Sequence, residues 1–239
     1  MFALNDRYIG TQLFLRCWPF VNGQGRLVDR LFSRLSFDQK LETVLTTDGF
    51  TMTVDPNDLI GRHIYLTGKF DRTVFGVLSK FARPGDTLLD IGANIGYVCG
   101  CFLQNVPQSK VIAVEPQPII VNQLTSNLQQ FGDGRYSVYP LALSDSDGKA
   151  NFYISPSNKG ASRLATERDS SQCVVDVLSG PSFVRASKCD PDLIKIDVEG
   201  HEKDVLSSLL PALRRLPRAI IHEDQANDLA QINASQFWL

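Results

Sequence analysis

One segment constrains this chain more than any other: Leu88-Leu89-Asp90-Ile91-Gly92-Ala93-Asn94-Ile95-Gly96-Tyr97. A short apolar run closes on an acid, and two glycines then bracket a turn into a helical stretch. Glycine permits a sharp bend and leaves no Cβ to block a ligand. Gly92 and Gly96 are therefore expected beneath a bound molecule. In an open α/β sheet that molecule sits outside the carboxyl ends of the strands, beside free helix N–H groups.

The rest of the sequence supplies the sheet. Apolar runs at 87–91, 110–114, 136–140, 193–197 and 218–222 alternate with helical patterns at 97–105, 118–131 and 201–215. That alternation predicts βαβ units and an α/β Rossmann-like fold with a mostly parallel sheet. Upstream, the spacing of Leu31, Phe32, Leu35, Leu41, Val44 and Leu45 predicts one or two amphipathic helices over 29–45. A hairpin or strand pair is expected within 46–67 around Phe50–Val54 and the turn cluster 55–58, then a helix over 73–82 stopped by Pro84-Gly85. A hairpin-like stretch at 149–154 leads into a Ser/Gly/Asn-rich loop at 155–162. We divide the chain into an N-terminal helical and hairpin extension, 1–70, and a ligand-binding domain, 71–239.

The loop also selects its ligand. A dinucleotide fingerprint requires G-x-G-x-x-G with a middle glycine against the pyrophosphate. Here Asn94 holds that place, and the acid Asp90 precedes the glycines. A carboxylate there suits an amino group and not phosphates, as on S-adenosylmethionine. The second strand ends at Glu115, 19 residues beyond Gly96, near the spacing of about 20 at which an acid takes ribose hydroxyls. The plainer alternatives are a helix N-cap for Asp90 and a solvated strand end for Glu115.

With these residues in view, the chain resembles the FkbM-type methyltransferases over roughly 49–223. Four blocks carry the likeness: D-I-G-A-N-I-G at 90–96, Glu115-Pro116, Ala142-Leu143-Ser144-Asp145, and K-I-D-V-E-G-H-E at 195–202. The resemblance implies S-adenosylmethionine as methyl donor and a hydroxyl acceptor on a sugar or secondary metabolite. It places Asp90, Gly92, Asn94 and Gly96 at the methionine half of the cofactor and Glu115 on the ribose. Ala142 and Leu143 would frame the adenine, with Asp145 reaching its amino group unless Asp145 serves an Asx turn. Asp197, Glu199 and His201, at the carboxyl end of the fourth strand beside the crevice, are the candidate catalytic residues, His201 as proton acceptor and Asp197 orienting the acceptor. No metal is expected. Lys195, inside an apolar strand, must reach a carboxylate or the crevice, because an unpaired buried ammonium is costly.

The resemblance also marks a departure. Only 16 residues follow Glu223, too few for the helix and two strands that complete such a sheet. The last two strands are expected to be lacking, with the exposed edge covered by the N-terminal segment or by a homodimer partner. Net charge is −2, which argues against nucleic acid as partner. Five cysteines without a C-x-x-C pair point to a reduced, cytoplasmic setting. The apolar run 13–21, broken by Arg16 and Pro19, is too short to span a bilayer and is expected to dock on the core. Two alternatives remain: a non-catalytic cofactor-binding or scaffold protein, and a nucleotide-dependent oxidoreductase, against which Asn94 and Asp90 speak.

Overall fold

The Asp58 side chain accepts from the Ile60 amide (3.2 Å) and caps the helix that follows. The computed structural model describes residues 8–18, 24–33, 37, 41–155, 162–165 and 172–222. Its N-terminal segment comprises α1 (Ile9–Arg16), α2 (Gln24–Phe32), β1 (Glu42–Leu45), β2 (Thr51–Val54) and α3 (Leu59–Thr67). The helical reading of 29–45 is corrected at its end. Glu42–Leu45 is a strand, paired antiparallel with Thr51–Val54 in the register Val44↔Met52. The cause is the turn: Gly49 adopts φ +90, and Thr46 Oγ1 both donates to the Phe50 carbonyl and accepts its amide. Leu31 and Leu41, expected to face inward, are exposed. The hairpin thus spans 42–54, and the remainder of the region expected to hold it is α3.

Of the apolar run 13–21, residues 13–18 are described. Leu15 docks as expected, but Leu13 and Phe14 are exposed. Gln12 Nε2 ties α1 to α3 through the Tyr65 carbonyl (3.1 Å). Among the described residues no helix is long and apolar enough to cross a membrane.

The chain continues with α4 (Arg72–Phe81), β3 (Thr87–Ile91), α5 (Tyr97–Asn105), β4 (Lys110–Val114), α6 (Pro118–Leu128) and β5 (Tyr136–Tyr139). After these come β6 (Ala142–Ser144), β7 (Gly148–Tyr153), β8 (Arg163–Leu164), β9 (Gln172–Ser179), α7 (Gly180–Ser187), β10 (Leu193–Ile196), α8 (Glu202–Leu209) and β11 (Ala219–His222). The main sheet has the order β11-β10-β3-β4-β5, parallel throughout. This is the expected Rossmann-like α/β fold.

A second sheet, β6-β9-β7-β8, was not expected. The stretch read as a hairpin and loop is in fact its β7 and β8, joined to β9, while residues 156–161 of the loop lie outside the described residues. So do those after 222, where the last two strands were expected to be lacking.

Apolar clusters cover both faces of the main sheet. A third unites Leu15, Val28, Met52 and Ile64 of the N-terminal segment with Ile95, Tyr97, Cys101 and Ile120. The N-terminal segment is thereby packed against the helix that follows the glycine loop.

Candidate active site

The carboxyl ends of β3, β4, β10 and β11 open into a cavity of about 490 Å³, within the range that holds a small-molecule ligand. At its floor the Gly92 and Ala93 amides both donate to the Val114 carbonyl (2.9 and 3.0 Å), folding the loop onto β4. The glycines serve packing more than ligand approach. A Cβ on Gly92 would stand 1.9 Å from the Asp197 carbonyl oxygen, and one on Gly96 would stand 2.7 Å from Leu124 Cδ1. Both have positive φ, as does Asn94 at +49, a conformation that asparagine tolerates. Gly92 and Asn94 line the cavity, whereas Gly96 does not.

Glu115 lies one residue beyond β4. Its carboxylate accepts the Asn94 amide on one oxygen and the Gln117 amide on the other, each at 3.0 Å. Burial pushes this carboxyl up to about 7, against the pull of those two amides and of Lys195. Each oxygen keeps a further lone pair, so the group can accept two more hydrogen bonds from a ligand.

Asp90 occupies a different position from the one expected. It is fully buried and does not line the cavity. Lys195, its register partner on β10, places Nζ 3.2 Å from Asp90 Oδ1, 3.5 Å from Asp197 Oδ2, and 2.7 Å from the Gly92 carbonyl, to which it donates. The Cys99 thiol donates to Asp90 Oδ2 (3.0 Å). Burial alone would lower the Lys195 pKa, but the Asp90 and Asp197 carboxylates outweigh it and hold the ammonium above its ordinary value. Asp90 is thus consumed inside the protein as the anchor of a lysine that ties β3, β10 and the glycine loop together. The expectation that Lys195 seeks a carboxylate is met.

Beyond β10 the chain turns through Glu199 (φ +49) and Gly200 (φ +99). The Glu202 carboxylate accepts the Gly200 amide (3.1 Å) and steadies this bend. Asp197, Glu199 and His201 all line the cavity. His201 Nδ1 lies 3.5 Å from Asp204 Oδ2, close enough to pair with the ring once it is protonated.

Ala142 and Leu143, both buried, form an apolar wall with Phe152 and Leu164 of the second sheet. Asp145 does not belong to it. It is exposed and accepts from the Ser144 and Ser146 hydroxyls (3.4 and 3.1 Å). Among the described residues no group of three His, Cys, Asp or Glu side chains is placed to hold a metal.

Sequence reasoning missed the opposite wall, made by Leu59, Ile60, Phe70, Asp71 and Val74. His222, at the end of β11, also lines the cavity without having been assigned a role. Asp71 alone carried a readable signal, an acid immediately before an amphipathic helix.

The Methyltransferase FkbM domain matches residues 90–236. The hexuronic acid methyltransferase AglP of Haloferax volcanii is 32% identical over 174 residues, covering 71% of this chain and 68% of that protein. The 2-O-methyltransferase NoeI of Sinorhizobium fredii is 28% identical over 152 residues, 55% of this chain and 60% of that protein. Among solved structures, a precorrin-6y C5,15-methyltransferase from Geobacter metallireducens is 15% identical with a TM-score of 0.39, over 64% of this chain and 63% of that one.

Proposed function

The chain belongs to the FkbM methyltransferase family, and from that premise we propose that it methylates a hydroxyl oxygen of a sugar-type acceptor. S-adenosylmethionine, the family's cofactor, fits the cavity's chemistry. The observation that carries the reading is Glu115: a buried carboxylate with one open lone pair on each oxygen matches the vicinal hydroxyls of a ribose. The apolar wall of Ala142, Leu143, Phe152 and Leu164 suits a flat purine beside it. Gly92 and Asn94 line the cavity beside Glu115 and would meet the methionine half. Two relatives named for a hexuronic acid and for 2-O-methylation support a sugar hydroxyl as the acceptor.

When bound, the cofactor supplies an electrophilic methyl group to an in-line displacement. The protein's task is to align the acceptor oxygen, and orientation can contribute roughly 7–11 kcal/mol to such a reaction. Asp197, held by Lys195 at the cavity floor, accepts a hydrogen bond from an acceptor hydroxyl and fixes its direction. His201 takes the proton, with Asp204 Oδ2 3.5 Å from its Nδ1. Glu199, on the strained bend, completes the acceptor side. A cytoplasmic enzyme accords with five free thiols.

Calorimetry with S-adenosylhomocysteine and NAD side by side tests the assignment. S-adenosylhomocysteine should bind in the micromolar range and NAD should not. The reverse order would favour the oxidoreductase. Cofactor binding without transfer to any uronic acid or hexose glycoside would favour the scaffold reading.

A further inference from the structure

Something in the cavity must meet the cofactor's positive amino group, and Asp90 is sealed away beneath Lys195 and Cys99. Besides Glu115, Asp197 and Glu199, a further acid faces the cavity. Asp71 stands before the first turn of α4, whose other end leads to the start of β3, so the helix brings Asp71 to the carboxyl edge of the sheet. Its surroundings are short of positive charge. Asp71, Asp90 and Asp197 all act on the single ammonium of Lys195. Arg72, the next residue, is turned to Asp48 at 3.3 Å. Among the described residues Asp71 forms no ion pair.

The backbone at Asp71 is left-handed, with φ +42. Such a conformation disfavours an ordinary side chain and persists where the surroundings enforce it, often at ligand sites. Burial raises the Asp71 proton affinity, reinforced by Asp197 and Asp90 and opposed by Lys195 and a hydrogen bond from the Val74 backbone. A carboxylate so placed shares its one nearby cation with two other acids, and the cofactor carries a further one.

We propose that Asp71 is the counter-charge for the ammonium of S-adenosylmethionine, so that the N-terminal side of the cavity completes a cofactor site which the matched domain, 90–236, does not contain by itself. This inference rests on the cofactor reading above. It moves the role expected of Asp90 to a residue nineteen positions earlier, on a different wall.

The test is calorimetry on the full chain, wild type and Asp71→Asn, with two ligands. S-adenosylhomocysteine carries the amino acid end, whereas 5′-methylthioadenosine keeps the adenosine and thioether without it. Asparagine preserves the shape and tolerates the left-handed backbone. Asp71→Asn should weaken S-adenosylhomocysteine about tenfold to a hundredfold, the range of one charge-assisted hydrogen bond, and leave 5′-methylthioadenosine unchanged. Equal affinity of both proteins for S-adenosylhomocysteine overturns the inference while leaving the cofactor reading intact. If the variant loses both ligands, Asp71→Glu decides: recovery of S-adenosylhomocysteine binding supports the inference, and no recovery overturns it. A wild-type chain that binds neither ligand refutes the cofactor reading, and this inference with it.

Discussion

The two walls of the cavity are built by different rules. The strand-end wall consists of the glycine loop, Glu115 and the 197–201 bend. Its contacts are short and largely backbone-directed: amides on Glu115, Val114 receiving Gly92 and Ala93, and Lys195 donating to the Gly92 carbonyl. The N-terminal wall, from Leu59 to Val74, is apolar apart from Asp71. It is held in place by a cluster that joins α1, β2 and α3 to Ile95 and Tyr97. Polar chemistry is therefore concentrated on the first wall, and a single acid distinguishes the second. A parallel sheet fixes its strand ends rigidly, whereas a wall docked through side chains can take on specificity without disturbing them.

The contrast is broken most severely at Lys195, the strut of the first wall. Lys195→Met leaves Asp90 buried without its cation, a change that costs about 3–5 kcal/mol. The melting temperature should fall by about 10 °C, and the double variant with Asp90→Asn should recover much of that loss. Thermal melts of the three proteins decide the matter. A Lys195→Met protein as stable as wild type would mean that the strand ends need no such strut.

A smaller effect, confined to turnover, separates the acceptor side from the cofactor side of the same wall. His201→Ala should lower kcat roughly a hundredfold or more and leave S-adenosylhomocysteine affinity unchanged, the pattern of a group needed only on the way to the transition state. Steady-state rates beside calorimetry provide the check. Undiminished turnover would reduce His201 to a residue at the start of α8.

The same contrast governs what the sequence could reveal. Strands β3, β4 and β10 were legible because fully buried parallel strands read as continuous apolar runs, and Glu115 because its spacing from the loop is local. Gly92 was found for an incomplete reason: the atom a Cβ would strike is the Asp197 carbonyl, 105 residues away in sequence. Asp90 misled because strand register, which sets Lys195 beside it, is not visible in a linear reading. The second sheet was missed because β9 and β7 pair across a stretch whose composition reads as loop. Asp71 went unassigned because the packing of α4 beside α5 and β11, which brings it to the cavity, is not visible in a linear reading.

The central claim, that Glu115 holds the cofactor's ribose, is tested most directly by the pH dependence of S-adenosylhomocysteine binding. In the free protein burial pushes the Glu115 carboxyl up to about 7. Ribose hydroxyls donate to the ionised form, so the bound state has the lower pKa, and affinity is lost as pH falls through the free value. The affinity should be level above about pH 8 and roughly tenfold weaker near pH 6. Glu115→Gln, which cannot ionise, should bind more weakly with a flat profile, and a 2′,3′-dideoxy analogue should not distinguish the two proteins. A profile that falls equally in wild type and Glu115→Gln would place the titrating group elsewhere and contradict the account.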